Sequence, residues 1–149
     1  MKTLFISAAF LLSIAFNASA TNADPSNDKV AKTFKLLFKN ASNVVWSHAD
    51  KFYSVSFTKA SVSTRAMFDK QGQLVQTIRY YKESNLPANV LYNVKKNYAG
   101  MEVWGVTELS NDHGINYRIV LKDKENYTQI KANDAGEIEL VQEFERGDR

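Results

Sequence analysis

The sequence predicts an α+β fold: a tandem repeat of one helix plus four antiparallel strands, with the helices packed on one face of a curved antiparallel sheet. Three observations carry this expectation. Residues 43–81 form a run of short alternating segments punctuated by turn residues, the pattern of an antiparallel sheet. Residues 101–144 follow as a second, degenerate copy. Each run is preceded by an apolar stripe at helical spacing.

The chain opens with Lys2, an apolar block over 4–16, and the small residues Ala18, Ser19 and Ala20. This is the pattern of a secretory signal peptide over 1–20; its apolar block is too short to span a bilayer. No second apolar run approaches the roughly 20 residues that a span requires. The expected address is therefore exported, periplasmic or secreted, with no membrane insertion after cleavage. Cysteine is absent, which excludes disulfides, thiol catalysis and thiolate metal sites. A mature chain of about 130 residues is long enough for one apolar core without staples. Without Lys2, 18 basic residues face 16 acidic ones, interspersed along the chain. Nucleic acid recognition needs a concentrated basic face, so nucleic acid is not an expected partner.

Residues 21–27 read as a flexible leader and 28–149 as a single domain of two repeats, about 28–82 and 86–145. Asp28 looks like an N-cap for a helix over 29–39, in which Val30, Ala31, Phe34, Leu37 and Phe38 share one face. That stripe reads as core. Strands are expected over 44–47, 52–58, 62–68 and 73–81. In the second, Tyr53, Val55 and Phe57 alternate against Phe52, Ser54 and Ser56; in the third, Arg65 and Met67 oppose Thr64, Ala66 and Phe68. Gly72 supplies the positive φ of the tight turn before the fourth strand. There the alternation sets Leu74, Ile78 and Tyr80 inward and Val75, Thr77, Arg79 and Tyr81 outward. Residues 82–85 read as a linker. Pro87 opens the second helix, with Val90, Leu91, Val94 and Tyr98 as its stripe and Gly100 at its end.

Superposing the halves sets Val45-Trp46 on Val103-Trp104. It also sets Tyr53, Val55 and Phe57 on Tyr117, Ile119 and Leu121, and residues 69–72 on 133–136. On this alignment Trp46 and Trp104 are equivalent, each sealing a helix to the sheet.

The segments FKNASNVVW, FYSVSF, DKQGQL and LPANVL resemble the exported PepSY-like, β-lactamase-inhibitor-like family of Gram-negative bacteria. The resemblance covers nearly the whole mature chain. It implies helices on one face of antiparallel strands and a free opposite face. In the inhibitor that gives the family its name, that face grips a protein partner. Most members lack an assigned activity. This chain departs from that inhibitor in having no cysteines, so its binding loops are not carried over.

The residues offer little to an enzyme. There is no G-x-S-x-G, no phosphate-cradling glycine loop and no dinucleotide fingerprint. No catalytic residue, metal or cofactor is therefore assigned. His48 and His113, near Asp50 and Asp112, fall in equivalent hairpin loops; a pair at one end of a sheet can share a metal, but a single His in each polar turn reads as solvated. Glu137, Glu139, Glu143 and Glu145 alternate on the last strand. Glu139 and Glu143 read as a charged solvent face that blocks sheet pairing.

The candidate binding residues are those opposite the core set: Phe52, Arg65, Met67, Arg79, Tyr81, Tyr127, Gln129 and Lys131, with Val75, Arg118, Val120 and Val141 beside them. Aromatic and apolar side chains rimmed by Arg and Lys on a solvent face have the composition of a protein-binding surface. The expected function is a non-enzymatic binding protein that engages an unidentified envelope or extracellular protein, in one form as an inhibitor. The alternative is a small-ligand or envelope-polymer module with a pocket between the repeats.

Overall fold

In a computed structural model, residues 25–147 are described. The expected signal peptide and most of the leader lie outside them. Two helices, α1 (Asp28–Leu37) and α2 (Ala88–Asn97), each precede four strands. The strands are β1 (Ser42–Ala49), β2 (Phe52–Lys59), β3 (Val62–Asp69), β4 (Leu74–Tyr81), β5 (Glu102–Asn111), β6 (Gly114–Lys122), β7 (Asn126–Asn133) and β8 (Ile138–Glu145). They form one sheet in sequence order, antiparallel throughout, with β1 and β8 as its edges. Residues 83–85, expected as linker, form a 3₁₀ turn.

Asn27, not Asp28, caps α1: its Oδ1 accepts from the Lys29 and Val30 amides at 3.0 and 3.3 Å. Asp28 instead sits in the first turn, where a carboxylate complements the helix dipole. Leu37 is exposed; Val30 and Phe34 carry the buried face. The Phe34 ring meets Trp46 and Phe57 edge-on, at centroid distances of 5.0 and 5.3 Å. These residues, with Val55, Ala66 and Phe68, make one core cluster beneath α1. A larger one gathers Val90 and Val94 of α2 with Val103, Val106, Ile119, Leu121 and Ile130. Both clusters lie on the same face of the sheet, because cross-strand partners share a face and one ladder of partners, Phe57, Thr64, Arg79, Glu108, Tyr117 and Ala132, runs from β2 to β7.

Each helix is tied at its start to the last turn of its half. Asn27 Nδ2 donates to the Lys70 carbonyl at 2.9 Å, and Asn89 Nδ2 to the Asp134 carbonyl at 2.8 Å. The turn glycines, Gly72 and Gly136, share a φ of 84°. The turns that follow the helices both pass through positive φ, at Asn40 and at Gly100.

Four strand pairs carry a register shift: β1·β2 between Ser42 and Val45, and three bulges further on that decide which side chains face which way. In β3·β4, Phe68 pairs with Leu74 but Met67 pairs with Gln76, so Val75 is the extra residue and the alternation of β4 changes phase there. Thr77, Arg79 and Tyr81 consequently face the helices, and Ile78 and Tyr80 face away. The unbroken alternation expected for this strand is therefore inverted beyond Val75. In β7·β8 the extra residue is Val141, which turns Glu143 toward the helix side opposite Thr128 while Glu139 stays opposite Lys131 on the other. In β5·β6 it is Trp104, between the pairs Val103–Leu121 and Gly105–Val120.

Candidate functional site

The face without helices is the open face, and the cross-strand register assigns its residues. Six of the eight expected binding residues stand on it. Phe52, Arg65 and Met67 lie opposite Asp69, Ser56 and Ser54; Tyr127, Gln129 and Lys131 lie opposite Lys122, Val120 and Arg118. They form two groups, not one. Four strand spacings separate β3 from β7, roughly 19 Å along the sheet. In the first group Phe52 is 39% exposed and Arg65 Nε donates to Ser56 Oγ at 3.4 Å.

Arg79 and Tyr81 are not on this face. They point to the helix side, where Arg79 Nη1 donates to Glu108 Oε1 at 2.9 Å and the Tyr81 hydroxyl donates to Oε2 at 2.5 Å. Glu108 is buried, and no buried side-chain polar atom among the described residues lacks a partner. Burial first, then the hydrogen bond to Glu108, pushes the Tyr81 hydroxyl well above the ordinary tyrosine range. Tyr117, opposite Glu108 on β6, is raised by burial and then by the same carboxylate. The group is a polar seam between the two core clusters, and its job is structural: it satisfies a buried charge where β4 and β5 join the halves.

The open face of the second half has an aromatic cluster around Tyr127, and it includes Trp104, which the repeat alignment placed in the core. Trp46 is 4% exposed beneath α1, whereas Trp104 is 43% exposed. Trp46 pairs with Val55, and Ile119, the counterpart of Val55, pairs with Val106. Val106 thus fills the place of Trp46, and the bulge sets Trp104 outside. The indole approaches Tyr127 at 6.4 Å, and Tyr127 approaches Phe144 at 5.7 Å. Cations surround the cluster: the Lys122 and Lys82 ammonium groups lie 4.1 and 4.4 Å from the Trp104 ring centre. Lys82 also donates to the Trp104 carbonyl. The guanidinium of Arg146 lies 5.7 Å from the Tyr127 ring centre. The dipeptide Trp104-Gly105 was the available signal, since glycine inside a strand marks bulges.

Beside this cluster the open face sinks into a depression of about 650 Å³, lined by Tyr80, Trp104, Arg118, Val120 and Gln129. A second, of about 480 Å³, lies over Ile78, Leu109, Asn116, Arg118 and Lys131. The two share Thr107 and Arg118. Aromatic faces, an amide and guanidinium donors on an open surface can bind; they include no nucleophile paired with a base.

His48 and His113 do not converge. His48 packs on Tyr53 at a centroid distance of 4.4 Å, and His113 Nδ1 lies 2.7 Å from Asp112 Oδ1. Their hairpins are four strands apart, again roughly 19 Å. Among the described residues no group of three or more His, Cys, Asp or Glu could hold a metal, and no helix is long and apolar enough to cross a membrane.

An open antiparallel sheet with both helices on one face is the architecture of BLIP-like proteins, and solved structures share it. A BLIP-like protein from Bacteroides fragilis aligns with a TM-score of 0.60 at 19% identity, covering 85% of this chain and 92% of that one. A DUF2874 family protein from Bacteroides ovatus aligns with a TM-score of 0.60 at 22% identity, with the same coverage of 85% and 92%. A protein from Bacteroides eggerthii, described as a candidate periplasmic protein, gives 0.58 at 19%, covering 83% and 89%. These likenesses establish the fold. No protein-family model matches the sequence, and no curated protein is significantly similar to it.

Proposed function

We propose that the protein is an exported, non-enzymatic binding module that docks another envelope or extracellular protein on the open face of its sheet, in one form as an inhibitor. The observation that carries this reading is the aromatic cluster of Trp104, Tyr127 and Phe144, with Trp104 and Phe144 exposed and Tyr127 half-buried, beside Lys82, Lys122 and Arg146. Tryptophan, tyrosine and arginine concentrate binding energy at protein interfaces. The bulge holds Trp104 43% exposed, so a large part of its apolar surface is not used in the core. Export rests on the signal-like pattern over 1–20, and the candidate periplasmic neighbour is consistent with it. The recurrence of helix and four strands, with matched helix-to-turn ties, favours two copies of one unit. The PepSY-like assignment rests on the segments quoted above.

A second reading is favoured by the depression of about 650 Å³ near the β4–β5 junction: a small ligand or envelope polymer bound between the halves. One experiment separates the two. The protein from Thr21 onward is immobilised and exposed to envelope and culture-supernatant proteins of its own host, beside a Trp104→Ala/Tyr127→Ala bait of matched stability. A protein retained by the first bait and lost by the second supports open-face docking. Equal retention by both overturns it. Retention by neither, with a thermal shift on addition of soluble saccharides, favours the ligand reading.

A further inference from the structure

Arg118 and Lys131 are direct cross-strand partners on the open face, both exposed. Like charges in that arrangement repel. Among the described residues neither is in an ion pair. On β5 and β8 of this face the acids stand elsewhere in register: Glu102 opposite Lys122, and Glu139 opposite Lys131. Arg118 has none. Its second lateral partner is Thr107, and its diagonal neighbours are Gly105, Leu109, Gln129 and Asn133. The guanidinium also lines both depressions, one floored by Ile78 and Leu109 and the other walled by Tyr80 and Trp104.

We propose that the open face of the second half receives an acidic protein segment, its carboxylates held between Arg118 and Lys131 and its apolar or aromatic side chains seated against Tyr80 and Trp104. This rests on the reading of the open face as a protein-docking surface and names the chemistry of the partner. A carboxylate relieves the Arg118–Lys131 repulsion and accepts the fork of the guanidinium. The apolar walls on either side select a polypeptide over a purely anionic polymer, because a sugar acid polymer has no apolar side chains to bury there. Lys82 and Lys122, drawn around the Trp104 ring, extend the positive field and steer an acidic segment toward it.

The probe is a fluorescent random copolymer of glutamate and tyrosine, titrated with the protein from Thr21 onward. Poly-glutamate, a lysine–tyrosine copolymer and polygalacturonate run in parallel. The glutamate–tyrosine copolymer binds most tightly, and its affinity falls as salt screens the charges. Arg118→Gln/Lys131→Gln weakens it at least tenfold and flattens the salt dependence while leaving the melting temperature unchanged or raised. Lys32→Gln, exposed on α1 and so on the opposite face of the sheet, changes nothing. Failure of the glutamate–tyrosine copolymer to bind, or binding indifferent to the double substitution, overturns the proposal. Equal binding of the lysine–tyrosine copolymer overturns the acidic partner but leaves a polypeptide-docking face. Binding of polygalacturonate as tight as that of the glutamate–tyrosine copolymer overturns both and assigns the face to an anionic polymer.

Discussion

Arg79 and Glu108 face each other across β4 and β5, the strand pair that joins the two halves of the sheet, and their side chains meet at 2.9 Å on the helix side. The contact is lopsided: the Glu108 side chain is 9% exposed and that of Arg79 37%. Removing one partner of a fully buried pair costs about 3–5 kcal/mol, and the solvent around Arg79 reduces the expected loss to about 2 kcal/mol. Arg79→Ala and Glu108→Ala, each measured by urea unfolding, should both fall near that value. The double variant should lose less than their sum, since each single change strands the other group. Strict additivity would sink the account of the seam.

Tyr81 makes the same seam sensitive to alkali. Its hydroxyl is held above the ordinary tyrosine range by burial and by Glu108, so the folded state retains a proton that the unfolded chain releases near pH 10. The stabilisation is fully present below that pH and is lost as pH rises through the folded value. The urea midpoint should drop between pH 8 and pH 10.5, and Tyr81→Phe should drop less steeply over that interval. Tyr117 contributes in the same direction, so the slope of Tyr81→Phe is expected to be reduced and not abolished. Parallel profiles would count against the assignment.

The two tryptophans should behave oppositely. Trp46 fills the space between Phe34 and Phe68, and Trp46→Ala should cost about 3–5 kcal/mol. Trp104→Ala removes an exposed ring with two cation contacts, for an expected loss of about 1 kcal/mol. Thermal melts of the two variants give the comparison directly. Similar losses would mean that Trp104 is as structural as Trp46.

Gly72 and Gly100 share a left-handed backbone, with φ of 84° and 85°, but differ in surroundings. A Cβ at Gly72 would come within 2.9 Å of the Lys29 backbone, whereas nothing lies within 4 Å at Gly100. Gly100→Ala should cost about 1 kcal/mol of conformational strain. Gly72→Ala should cost about 1–2 kcal/mol more, because α1 must shift away from its turn. Chemical denaturation of the pair tests whether the turn buttresses the helix.

The elements were legible because each rests on local pattern. The stripe from Val30 to Phe38 has helical spacing, and the alternations in β2 and β3 have period two, so their inward faces came out as expected: Val55, Phe57, Ala66 and Phe68 are buried. Arg65 and Met67 were placed on the open face by the same reasoning. Arg79 and Tyr81 were misplaced because an extra residue in a strand reverses the alternation beyond it, and period-two counting has no register of its own to detect the change. Trp104 was misplaced because the alignment of the halves set it on Trp46, although Val106 is the residue that fills that place.

What the sequence determined by itself is therefore the set of elements, their order and the core faces of the unbroken strands. Helix and strand periodicity are written in neighbouring residues, and so are turn glycines such as Gly72. The tertiary structure alone decided where the bulges fall, because a bulge is a relation between two strands: Val75 is surplus only against β3, and Trp104 only against β6. That relation sends Arg79 and Tyr81 inward to Glu108 and brings Trp104 out to Tyr127 and Lys122, and so it separates the structural seam from the binding face.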